Sequence, residues 1–118
     1  NALPVGEAVG IYSDLIEGSP DNGRLYTLRA GAWWASGKLQ EAMADFDKAI
    51  ELGYTASHAF LSRGLFHAAQ GRTQEAIQDY TVALEKAPQD TAPRINRAAA
   101  YFAEGKWADA VNDYSAAI

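Results

Sequence analysis

The sequence predicts an all-α fold, an array of antiparallel helix pairs stacked one on the next. Three observations predict it. Alanines stand at Ala8, Ala42, Ala76 and Ala110, each 34 residues from the next, with bulky aromatics four residues later at Tyr12, Phe46, Tyr80 and Tyr114. Glycines recur in the same phase at Gly37, Gly71 and Gly105, each followed by a cation (Lys38, Arg72, Lys106). Arginines at Arg29, Arg63 and Arg97 and aspartates at Asp45, Asp79 and Asp113 add two further columns. Helical periodicity keeps no memory over such distances, so a fixed period of this length marks repeats that bury their apolar faces against one another.

The stretch from Ala59 to Pro88 shows the unit most clearly. Phe60, Gly64, His67 and Ala68 recur at helical spacing, and Ala76, Ile77, Tyr80, Ala83 and Leu84 form a second apolar stripe. Gly71 between them offers the left-handed conformation that closes a helix. Pro88 ends the second pattern because it carries no N–H to donate. The unit is a helical hairpin.

Taken in order, residues 4–22 match the second helix of a unit, with Val5, Ala8, Val9, Tyr12, Leu15 and Ile16 as its apolar face and Ser19–Asn22 as a turn. Repeats follow at 23–56, 57–90 and 91–118, the first with helices near 24–36 and 39–52. Asp90 or Thr91 suits the N-cap of the third repeat's first helix, and Pro93 is tolerated in its first turn. The last helix starts near Trp107. About seven helices are expected in a single domain of 118 residues, read as a fragment of a longer array.

At these residues the chain resembles the tetratricopeptide repeat (TPR) family. The family's aromatic, small, aromatic, Ala, aromatic, Ala, Pro pattern falls on Phe60, Gly64, His67, Ala76, Tyr80, Ala83 and Pro88. In the unit before, it falls on Tyr26, Ala30, Trp33, Ala42, Phe46 and Ala49; in the unit after, on Ala98, Tyr101, Ala110, Tyr114 and Ala117. His67 and Arg94 stand where aromatics are usual, Tyr54 where proline is, and arginine replaces the leucine before the small residue in all three units. The resemblance implies a right-handed superhelical solenoid of antiparallel helix pairs. It also implies a protein–protein interaction scaffold, with a self-assembling array or a docking module of a larger protein as alternatives.

Composition excludes several other classes. With no cysteine there is neither a disulfide framework nor thiol chemistry. No apolar run approaches the ~18 residues of a membrane span. A net charge of −5 argues against nucleic acid, which calls for a basic stripe. The two histidines, His58 and His67, do not share a helix face, so neither a metal nor any other cofactor is expected. No nucleophile has a base in phase and no phosphate-cradling glycine loop occurs, so the chain is read as no enzyme. Acidic residues on the second helices read as a solvated outer face.

Two features remain open. The Arg and Asp columns lie 16 residues apart in each unit, which suggests structural pairing; a ladder for an acidic ligand is the other reading. The resemblance also implies a concave groove lined by first-helix residues. By phase these include Arg24, Thr27, Gly31 and Trp34, then Leu61, Leu65 and Ala68, then Arg94, Ile95, Asn96, Ala99 and Phe102. Such a groove is apolar with arginines at its edges, which suits an amphipathic helix or hydrophobic peptide segment of a protein partner. Uncovered terminal helices would add self-association through the ends.

Overall fold

The computed structural model describes residues 4–54 and 56–118. Seven α-helices make up the described residues, with no strand among them: α1 (Val5–Gly18), α2 (Gly23–Ala35), α3 (Leu39–Glu51), α4 (Ser57–Ala69), α5 (Thr73–Lys86), α6 (Thr91–Ala103) and α7 (Trp107–Ala117). They form two compact units, Asn1–Thr55 with α1 to α3 and Ala56–Ile118 with α4 to α7. Within each unit every helix packs on the next in sequence, and α4 also touches α6.

The glycine column works as its chemistry predicts. Gly37, Gly71 and Gly105 hold φ values of +79°, +77° and +76°. The cation after each glycine donates its backbone N–H five residues back, Lys38 to the Trp33 carbonyl at 2.9 Å, Arg72 to His67 at 2.9 Å and Lys106 to Tyr101 at 2.9 Å. These bonds cap the carbonyls that a helix end leaves open and reverse the chain for the second helix. Gly53 closes α3 in the same way, with φ +85° and Tyr54 donating to the Ala49 carbonyl. At helix starts, Asn22 accepts from the Arg24 N–H and Asp90 from the Ala92 N–H.

The first unit's core gathers Ile16, Tyr26 and Ala49, with Leu25, Leu52 and Tyr54 packed against them. In the second unit Ala76, Ile77, Tyr80 and Ala100 form the core, joined by Leu61 and Tyr101. Alanine recurs where helices approach closest: Ala30, Ala42, Ala49, Ala76, Ala83 and Ala98 are fully buried. On α1, Ile16 is buried in the first unit's core, whereas Leu15, expected on the same apolar face, is exposed. The side chain of Val5, placed on that face by the sequence, lies outside the described residues.

Each arginine column residue grips its aspartate in a two-pronged fork. Nε and Nη2 of Arg29 donate to Asp45 at 2.7 and 2.8 Å, those of Arg63 to Asp79 at 2.8 and 2.9 Å, and those of Arg97 to Asp113 at 2.7 and 2.8 Å. The pairing runs from first to second helix within one hairpin. It accounts for the arginine that stands where the family carries leucine. Asp45, Asp79 and Asp113 are buried, as structural partners of the arginines should be, whereas Glu41 and Glu75 on the same helices are exposed. Arg29 and Arg97 reach one helix further back, donating from Nη1 to the hydroxyls of Ser13 and Thr81. The hydrogen bonds to Asp45 and Asp113 raise both guanidinium pKa values, so the charges are permanent.

Two sequence departures find explanations. Tyr26 donates its hydroxyl to the Pro20 carbonyl at 2.9 Å; two repeats later, Arg94 donates Nη2 to the Pro88 carbonyl at 3.4 Å. The guanidinium thus ties down the same loop carbonyl as the phenol. Tyr54, in the proline column, packs against Gly23, where a Cβ would collide with it.

Candidate functional site

A hollow of about 250 Å³ lies between α4, α5 and α6, lined by Leu65, Ala68, Thr73, Tyr80, Asn96, Ala99, Ala100 and Ala103. Four of its lining residues are alanines, Ala68 on α4 and Ala99, Ala100 and Ala103 on α6, where larger side chains would fill the space. None of the lining residues carries a formal charge. A guest side chain therefore meets mostly methyl groups, with three polar side chains among them.

Tyr80 is held in place from behind. Its ring edge rests on Gly64, where an added Cβ would stand 2.7 and 2.8 Å from two ring carbons. Only 2% of the residue meets solvent. Burial first, and the nearby Asp79 charge second, push its phenol pKa up to about 12, so the hydroxyl stays protonated and able to donate. Among the described residues the hydroxyl has no hydrogen-bond partner. Phe46 fills the same column in the first unit, also 2% exposed, without a hydroxyl, so the core does not require that oxygen.

Of the residues that the sequence places along a groove, the hollow brings together Leu65, Ala68, Asn96 and Ala99. Leu61 instead packs against the core cluster, and Ile95 is exposed outside the hollow. Arg94 holds the Pro88 carbonyl. Phe102 sits 58% exposed with its ring edge-on to the equally exposed Trp107 at 4.7 Å between centroids. In the first unit Arg24 is exposed, Trp34 half-buried and Gly31 exposed. Thr27 departs from its expected place. It is 5% exposed, and its hydroxyl turns back to the Gly23 carbonyl at 3.4 Å, which leaves it nothing to present to a ligand. Sequence reasoning missed Thr73, Tyr80, Ala100 and Ala103 as lining residues. Nothing in the sequence singled them out, since Tyr80 shares its column with Tyr12 and Tyr114.

The histidines divide as their phase suggests: His58 is exposed and His67 buried. Burial lowers the His67 pKa, although Asp79 lies 3.8 Å from Nε2. Its Nδ1 has no hydrogen-bond partner. Among the described residues no cluster of three His, Asp or Glu side chains could hold a metal ion, and no helix is long and apolar enough to cross a membrane.

Comparison with known proteins agrees on the repeat. Two sequence profiles, each described as tetratricopeptide repeat, match residues 5–57 and 67–112. A curated relative, a protein SGT1 homolog of Oryza sativa subsp. japonica, is 42% identical over 57 residues, 48% of this chain and 16% of that protein. The crystal structure of MamA superposes with a TM-score of 0.89 at 19% identity, covering 96% of this chain and 66% of that one. YrrB, described as a TPR protein with an unusual peptide-binding site, superposes at 0.82 with 19% identity over 96% of this chain and 58% of its own. The first TPR of Spaghetti (RPAP3), bound to the HSP90 peptide SRMEEVD, superposes at 0.79 with 27% identity, covering 86% of this chain and 80% of that one.

Proposed function

The chain belongs to the tetratricopeptide repeat family, and on that premise we propose that it is a protein-interaction module that binds an apolar peptide or helical segment of a partner. The observation that carries this reading is the alanine-walled, uncharged hollow between α4, α5 and α6, with Asn96 and the unpartnered Tyr80 hydroxyl among its lining. Small uncharged walls favour a bulky uncharged side chain, and the two polar groups suit the backbone of the segment that carries it. The RPAP3 domain, similar in fold and 27% identical, is a relative seen with a peptide bound, which supports a peptide as the guest class. The charged terminus of a peptide finds no counter-charge in this hollow, so the contact is made by internal residues. The repeat is typically a scaffold, and we assign it no reaction.

Peptides selected from a random library against the wild-type chain test this. They should lose binding to Leu65→Glu, which puts an unpaired charge into the hollow, while its melting temperature stays that of wild type. Selected peptides that bind Leu65→Glu undiminished would place the site elsewhere.

A further inference from the structure

Exposure sorts the lining of the α4–α5–α6 hollow by depth. Leu65 and three of the alanines are exposed and form the rim. Thr73 and Asn96 are half-buried, while Tyr80 and Ala100 are buried and form the floor. Among the described residues, the side-chain N and O atoms both fully enclosed and without a hydrogen bond are His67 Nδ1 and Glu104 Oε1. The Tyr80 oxygen, equally without a bond, is not one of them. It therefore keeps an opening, on a residue otherwise buried, and the space on its open side is the hollow. The ring edge wedged against Gly64 holds that oxygen in place.

A buried donor left without an acceptor is costly, so the guest that gains most brings an acceptor to the floor. On the reading that the hollow is the peptide site, we propose that its guest is a tyrosine side chain. Its ring packs among the alanine methyls and its hydroxyl meets that of Tyr80. Asn96, higher in the wall, alone is then left for the guest's backbone. Tryptophan offers only an N–H, and phenylalanine and leucine offer neither donor nor acceptor. Glutamine brings an acceptor together with two N–H donors, which methyl walls leave unmet. Serine and threonine carry a hydroxyl on too small a body to fill about 250 Å³. A phenol combines an apolar ring with one hydroxyl that both donates and accepts. Phosphotyrosine is refused, because no lining residue carries a counter-charge.

The test uses the whole chain and peptide libraries, each random except for a central tyrosine, phenylalanine, tryptophan, glutamine or leucine. Binding of selected peptides is read by fluorescence anisotropy. The tyrosine library should yield the tightest binders. Replacing the tyrosine of the best one by phenylalanine should weaken binding to wild type about fivefold, and its phosphotyrosine form should not bind. Against Tyr80→Phe, which takes the residue of Phe46 in the same column, the preference for tyrosine over phenylalanine should vanish. A preference that survives Tyr80→Phe undiminished overturns the proposal, as does equal binding of the phosphotyrosine peptide. A wild-type preference for another central residue, lost on Leu65→Glu, also overturns it and leaves the hollow standing as the peptide site. Tyrosine peptides that bind Leu65→Glu undiminished would remove the hollow itself, and its tyrosine guest with it.

Discussion

Tyr80 rests its ring edge on the bare Cα of Gly64, with no room for a single methyl group between α4 and α5. A Cβ at this position would stand 2.7 Å from a ring carbon. The other repeats carry Ala30 and Ala98 in this column, so alanine is compatible with the repeat but not with this ring. Gly64→Ala should therefore destabilise the chain by ~1–3 kcal/mol, the usual cost of overpacking a core. Thermal denaturation reads it directly. A melting temperature equal to wild type would mean that the ring shifts freely.

The arginine forks predict strong coupling. For Arg29→Ala, Asp45→Ala and the double variant, a cycle of urea denaturations should give a coupling of ~0.5–3 kcal/mol. The partly buried, bidentate geometry also predicts that moderate salt leaves this coupling nearly unchanged. Simple additivity would return the arginine column to the reading of a ligand ladder.

How far the sequence was legible follows from what each residue repeats. The hairpins and their closures were legible because Gly37, Gly71 and Gly105 and the buried alanines recur in phase. The forks were legible as pairing, though not as pairing within the hairpin, since spacing alone does not distinguish a neighbour from a partner. Arg94 was unreadable because chemistry was kept while residue type changed: guanidinium and phenol reach the same loop carbonyl. Tyr54 was unreadable because its partner, Gly23, lies 31 residues away in another column. Thr27 misled for a related reason. Its phase is that of a groove residue, yet its hydroxyl bonds back to its own helix.

His67 predicts a pH dependence with a definite sign. Its folded pKa is lowered below the ordinary imidazole value of 6.5, chiefly by burial. The unfolded chain then binds the proton more readily, so the contribution is fully present above 6.5 and is lost as pH falls through the folded pKa. His67→Tyr, which places the residue of Tyr101 in its own column, should fall less steeply in stability on acidification than wild type. Urea midpoints on either side of pH 6.5 measure this. Parallel acid profiles for the two proteins would remove His67 from the account.

Tyr80→Phe separates core from site. Phe46 fills the same position without a hydroxyl, so stability at neutral pH should change by no more than ~0.5 kcal/mol. Above neutral the variants diverge. The phenol pKa is raised from 10.0 to about 12, so the neutral form stabilises the fold below 10 and that contribution is lost as pH rises towards 12. The variant should resist alkaline unfolding better. An ultraviolet titration should show one tyrosine fewer ionising late, and an unchanged late phase would contradict the burial.

If the α4–α5–α6 hollow receives a partner's peptide, methyl NMR of the chain with a library-selected peptide will locate it there. Saturable shifts are expected at the methyl groups of Ala68, Ala99 and Ala103, with Ala42 and Ala110 unmoved. Shifts that leave those three methyls unmoved while the peptide is bound would contradict it.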